Sequence, residues 1–252
     1  NMKIVFITMN PFSMNPGHLA RLKAVLPQLS SKHEVIILSL HTNEDTFTTK
    51  ENYPKVKFIN LPVLFKGWEL KNKKEAVTSI TNLISGILPD ICILQMEAWE
   101  LMRELSLSLK KITKFSVVIH AMPFVVSPIN PSSDFEYDVK MYLQSNLVPF
   151  RHDYVLKHYN EAKKVLNSIN IITANNTVSY FLNCYFNNLK IWNYIPLPNI
   201  LNDSNSDNLS SLDYDFVYMA RMEAGKGIEY LKVILREISS IMKRKVSILV
   251  FG

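Results

Sequence analysis

The sequence predicts an α/β fold built on a doubly wound, mostly parallel sheet. Three observations carry that reading. Continuous apolar runs such as KIVFITM (3–9), EVIILSL (34–40) and FSVVIH (115–120) suit strands buried on both faces. Stretches with apolar residues at helical spacing lie between them. Strand and helix then alternate along nearly the whole chain, which is the pattern of successive β-α-β units.

After the first strand, HLARLKAVLPQL places Leu19, Leu22, Leu26 and Leu29 on one helical face, and Pro27 is expected to kink or shorten that helix. Strands follow at 34–40 and 56–61. A helix is predicted over 69–88, from Val77, Ile80, Leu83/Ile84 and Ile87/Leu88. ICILQ (91–95) is the next strand, then a helix over 97–110 and the strand 115–120. Residues 121–150 are irregular and proline-rich, as in a long functional loop. A helix over 152–168, NIITA (170–174), a helix over 177–186 and KIWNYI (190–195) complete the first domain, set at 1–198. The polar, Ser/Asn/Asp-rich stretch 199–213 reads as a linker. Beyond it, YDFVYMA, a helix over 227–242 and VSILVF form one further β-α-β unit, 214–252. That unit is too small to bury a core of its own, so it reads as the incomplete start of a second domain.

Composition narrows the function classes without choosing one. The chain has 252 residues, 48% hydrophobic and 20% charged, which is globular composition. Its formal charge of +6 fits phosphate-bearing ligands, an anionic membrane surface or nucleic acid alike. Cys92 and Cys184 stand apart with no metal or redox spacing and read as reduced thiols of a cytoplasmic protein. The acidic runs DYD (213–215) and DFEYD (134–138) read as solvated loop charge, so no metal site is expected. LFKGWELKNKK (64–74) mixes aromatics with lysines. It suits either an anionic membrane surface or a polar helix face.

Parallel sheets bind ligands at the carboxyl ends of their strands, so candidates are sought there. The first turn, TMNPFSMNPGHLA, ends at a helix N-terminus that can hold an anion through free N–H groups. It contains one glycine, Gly17, and no G-x-G-x-x-G, which opposes a dinucleotide-dependent dehydrogenase. Asn10 and His18 flank this turn. His18 reads equally as a ligand contact or a solvated residue. His120 ends a buried strand, where it could bond a substrate hydroxyl, do acid–base work, or be a satisfied core histidine. Glu97 sits similarly, but a carboxylate also suits a first helical turn. The most specific signal is FVYMARMEAGKGIEYL (216–231). Arg221 ends a strand, and Lys226 lies between Gly225 and Gly227 before a helix. A guanidinium fork, an ammonium and a helix N-terminus together suit a diphosphate.

These segments resemble the GT-B glycosyltransferases, in particular the retaining glycosyltransferase family 4. HEVIILSL, PDICILQ and VVIHA are similar to that family's N-terminal domain, INIITANNTVSYFL and YIPLPN to its domain-closing region, and FVYMARMEAGKGIEYL to the opening of its C-terminal, donor-binding domain. The resemblance implies a Rossmann-like acceptor-side domain followed by the first unit of a second Rossmann-like domain. It implies transfer of a sugar from a nucleotide diphosphate-sugar to a glycan or lipid-linked acceptor, with retention and no bound metal or other cofactor. It assigns Arg221, Lys226 and Gly17 to the donor diphosphate and His120 to the sugar; Asn10, His18 and Glu97 are candidate acceptor or sugar contacts from their places at strand ends. The sequence departs from the family in having Pro16-Gly17 for a Gly-Gly pair and Ala220 for the glycine before the arginine. The family's later acidic pair is absent, so the chain by itself is expected to be inactive. The reduced cysteines suit a cytoplasmic protein, and the basic charge with the aromatic–lysine stretch 64–74 makes peripheral contact at the inner membrane face a candidate; no nucleic-acid partner is expected. Two alternatives stay open: a non-catalytic GT-B-like binding module, and another nucleotide-using α/β enzyme such as a GT-B epimerase.

Overall fold

The computed structural model describes residues 1–10, 12, 17–40, 52–61, 65–66, 69–70, 72–96, 98–120, 134, 137, 152–174, 176–193, 214–219 and 228–251. The chain divides into two units. The first comprises Asn1–Met141 and His152–Ile200, the second Tyr142–Arg151 and Leu201–Gly252.

In the first unit the described elements run β1 (Lys3–Thr8), α1 (Gly17–Lys32), β2 (Glu34–Ser39), β3 (Val56–Asn60), β4 (Phe65–Lys66), β5 (Glu69–Leu70), α2 (Lys73–Ile87), β6 (Ile91–Leu94), α3 (Trp99–Leu109), β7 (Lys114–Ile119), α4 (His152–Val165), a 3-10 turn (Leu166–Ser168), β8 (Asn170–Thr173), α5 (Asn176–Tyr185) and β9 (Lys190–Asn193). Seven strands form one sheet in the order β3-β2-β1-β6-β7-β8-β9, and every pairing in it is parallel. The α/β, doubly wound reading therefore holds. Chain order reverses between β1 and β6, and a crevice opens at the carboxyl ends of strands on either side of such a reversal.

Alternation along the strands makes both faces apolar. One face carries Ile4, Phe6, Val35, Ile37 and Val56, packed with Leu19, Leu22 and Leu26 of α1. The opposite parity, Val5, Ile7, Ile36, Leu38, Cys92 and Leu94, is also buried. Burial pushes the Cys92 thiol up to about 12, so it is an inert core residue.

Two helix boundaries differ from expectation. α1 is not shortened at Pro27 but runs on to Lys32. Pro27 is exposed, and Leu29 beyond it still packs against the core, which offsets the one missing backbone bond. The second helix starts at Lys73, because residues 69–70 pair antiparallel with 65–66. Asn72 caps it: the side-chain oxygen accepts from the Glu75 N–H at 3.3 Å, and Nδ2 donates to Glu75 Oε2 at 2.7 Å. That helix ends on Leu88 in the left-handed region, φ 50°. Leu88 is 67% exposed, so little packing holds it there. Leu88→Gly is expected to raise stability by about 1 kcal/mol, read as a higher urea midpoint at unchanged m-value.

The second unit contains β10 (Phe216–Met219), α6 (Ile228–Met242) and β11 (Ile248–Phe251), with β10 and β11 parallel. This is the expected single β-α-β unit. Val217, Val233, Ile234 and Ile241 remain exposed, as expected where one helix meets two strands. Asp215 is no free loop charge. Its carboxylate accepts from both Arg244 guanidinium nitrogens and from the Ser247 N–H, tying the start of β10 to the approach to β11. The Arg244 bonds, with those from Ser247, hold the carboxyl below the usual carboxylate range.

Candidate functional site

The reversal between β1 and β6 collects several of the predicted residues. Three hydrogen bonds carry the ladders past the strand ends: Leu40 N–H to Thr8 O at 2.9 Å, Gln95 N–H to Ile7 O at 2.9 Å, and Ala174 N–H to Ile119 O at 3.0 Å. They fix the backbone from which Thr8, Gln95 and His120 project. Gly17 is the first residue of α1 and His18 the second, so the helix's free N–H groups lie at the same end as the strand termini. No acidic residue occupies the first turn of α1, which leaves its positive dipole end uncompensated there.

His18 and His120 meet. Their ring centroids are 5.6 Å apart at an interplanar angle of 54°. The Nε2–H of His120 donates to the Gln95 carbonyl at 3.0 Å. In the neutral ring that bond assigns the proton to Nε2 and makes Nδ1 the acceptor. Burial pushes the imidazole down to about 4. The Gln95 carbonyl opposes this, while the positive charges of His18 and Arg21 act in the same direction as burial. Burial lowers His18 as well. Near neutral pH both rings are therefore uncharged, so His120 is a neutral polar group and not an ionic one.

The site also holds buried polar atoms with no hydrogen-bond partner: Thr8 Oγ1, Asn10 Oδ1, His18 Nε2 and Gln95 Oε1. An unmet buried group costs about 1–3 kcal/mol, and a cluster of them in a strand-end crevice marks a place where a ligand or water completes the bonding. Asn10, His18, Gly17 and His120 are thus placed at one end of one sheet. Arg221, Lys226 and Glu97 lie outside the described residues. Sequence reasoning passed over Arg21, whose spacing from His18 sets it on the same helical face, and Thr8, which reads as the last residue of a strand until its unmet hydroxyl is seen. Among the described residues no group of His, Cys, Asp and Glu could hold a metal ion.

No protein-family model matches the sequence, and no curated protein matches it. Solved structures do match in fold. A glycosyltransferase from Rickettsia africae superposes with a TM-score of 0.54 at 16% identity, covering 99% of this chain and 60% of that one. Phytolacca americana UGT2, complexed with UDP-2fluoro-glucose and pterostilbene, gives 0.54 at 12% identity, covering 100% and 71%. The lipopolysaccharide outer core galactosyltransferase WaaB gives 0.51 at 12% identity, covering 99% and 60%. The fold is that of the GT-B glycosyltransferases. The chain spans about 60% of the length of the Rickettsia africae protein. At these identities the likeness extends to the GT-B fold and to no individual residue. Among the described residues no helix is long and apolar enough to cross a membrane.

Proposed function

We propose that this protein is a glycosyltransferase that moves a sugar from a nucleotide diphosphate-sugar to a glycan or lipid-linked acceptor. The observation that carries the reading is the His18–His120 pair at the strand reversal of a GT-B sheet, beside the N-terminus of α1 and a set of unmet polar atoms. Neutral hydroxyl-binding groups stand next to an anion-attracting helix end, and that combination matches a sugar linked to a diphosphate. The complex of Phytolacca americana UGT2 with UDP-2fluoro-glucose is consistent with a donor of this class. Arg221 and Lys226 would bind the diphosphate with the backbone at Gly17, and stabilise the departing charge without a metal ion or other cofactor. His120 would accept a bond from a donor hydroxyl. Asn10, His18 and Glu97 would contact sugar or acceptor. The family 4 resemblance suggests retention of anomeric configuration and a role in polysaccharide biosynthesis. The aromatic–lysine stretch 64–74 suggests a cytoplasmic protein with peripheral contact at the inner membrane face.

The test is direct. The protein is titrated with UDP-, GDP- and ADP-sugars by calorimetry, and then supplied with radiolabelled donor and a lipid-linked glycan. Saturable binding of one donor is expected; without the family's later acidic pair, little or no transfer of its label by this chain alone is expected. If none of the three donors binds, the reading fails. Arg221→Ala and Lys226→Ala are each expected to weaken donor binding about tenfold or more, since each removes charge-assisted bonds to phosphate. The thermal midpoint should stay unchanged.

A further inference from the structure

The unmet polar atoms at Thr8 and Gln95 continue away from the histidine pair along the strand ends. The last residues of β1, β2 and β3 are Thr8, Ser39 and Asn60. They stand in register, Thr8 opposite Ser39 and Ser39 opposite Asn60. Each bears a buried side-chain oxygen without a hydrogen-bond partner. Gln95 follows Leu94, the register partner of Ile7, so it stands beside Thr8 on β1's other edge. Its Oε1 is likewise unpartnered.

The four residues share one face. Phe6, Ile37, Phe58 and Ile93 lie two positions earlier on the same four strands and all belong to the core beneath α1, and side chains two apart point the same way. The apolar face is therefore topped by one polar row, Asn60–Ser39–Thr8–Gln95, with neighbouring strands about 4.8 Å apart. Thr8, Ser39 and Gln95 are 0%, 1% and 6% exposed. Asn60 at one end is half-buried, as is Asn10 just past Thr8, so the row is partly open at Asn60 and beside Thr8 and closed at Gln95.

The chemistry of the row is specific. It contains two hydroxyls and two carboxamides, with no formal charge. Such groups donate and accept together, which matches the hydroxyls of a sugar ring and gives no counter-charge for a phosphate, carboxylate or cation. A repeat of about 4.8 Å is close to the spread of hydroxyls across one ring. We propose that this row is the subsite for a neutral, polyhydroxylated ligand, distinct from the anion-attracting end of α1. That this ligand is the acceptor, and that the acceptor is an uncharged sugar where it meets the sheet, rests on the glycosyltransferase reading above.

The experiment uses the full chain with D-glucose, D-galactose and maltose as neutral probes, and glucuronate and inorganic phosphate as anionic ones. Binding is followed by saturation-transfer NMR and UDP binding by calorimetry. At least one neutral sugar is expected to bind, with neither anion competing. Ser39→Ala and Thr8→Val should each weaken it about threefold to tenfold. Because the deleted hydroxyls have no partner in the protein, both variants should keep or raise the melting temperature. Sugar binding unaltered in both variants, preference for the anions, or no binding of any neutral probe overturns the subsite. So does a crystal soaked in maltose in which ordered waters still fill the row. UDP binding without neutral-sugar binding defeats the subsite alone. Neutral-sugar binding without any nucleotide binding defeats the transferase reading alone.

Discussion

Wherever transfer is measurable, His120→Ala is expected to lower kcat by about 10²–10⁴-fold while leaving donor affinity within a few-fold, read by steady-state transfer and by calorimetry. The ring's Nε2–H is tied to the Gln95 carbonyl, so alanine removes both the proposed substrate contact and the bond that orients the ring. His120→Gln can keep the donor to that carbonyl and should be the milder change. The pH dependence follows from burial. With the folded imidazole near 4 and the ordinary value at 6.5, His120 is neutral throughout pH 6–8 and contributes no inflection there. Protonation is taken up more readily by the unfolded chain, so stability is full above 6.5 and falls as pH drops toward 4. The loss over that window is at most about 3 kcal/mol. His120→Gln should flatten this acid limb in urea titrations and keep only the part due to His18, whose burial acts in the same direction. An acid limb identical to wild type would refute the assignment.

Phe12→Ala is expected to cost about 3–5 kcal/mol. Phe12 is fully buried, although it lies in the turn between β1 and α1. Its ring meets Tyr53 edge-on at 5.8 Å and Phe58 at 5.2 Å, and Lys23 Nζ lies 5.0 Å from its centroid. It therefore pins the chain just past β1 onto β3. Phe12→Leu keeps most of the volume and should lose less than half as much. Chemical denaturation reads the stability. In the leucine variant, which stays folded, a raised donor Kd would show that the pin also positions the site.

The sheet was legible because its strands are unbroken apolar runs that need no partner information to recognise. Phe6 and Ile37 announce a buried strand whichever neighbour they pair with. The helix boundaries were less legible, because caps and breakers compete with packing. Pro27 signals a stop that Leu29 overrules. Asn72 and Glu75 form a cap whose Asn-x-x-Glu spacing is visible in the sequence, yet the apolar pattern around it drew the helix start too early. At the site, position picked out His18 and His120 one at a time. Their contact could not be read, because it depends on the strand order that sets β6 between β1 and β7. The same holds for Thr8, Ser39 and Asn60. Each looks like an ordinary strand terminus, and only the shared register makes them a row.

The placement of β1 also governs the order in which the molecule can assemble. One edge of β1 is satisfied by β2, which follows closely in the chain, while the other waits for β6, starting at Ile91. Lys3 marks that second seam. Its N–H donates to the Asp90 carboxylate at 2.7 Å, and its carbonyl accepts from the Asp90 N–H at 2.9 Å. During synthesis, β1, β2 and β3 can pair first, leaving a bare apolar edge until some thirty more residues beyond β3 have emerged. That edge is an open template for any passing strand. Asp90 is one of the residues that seal that edge once β6 is in place.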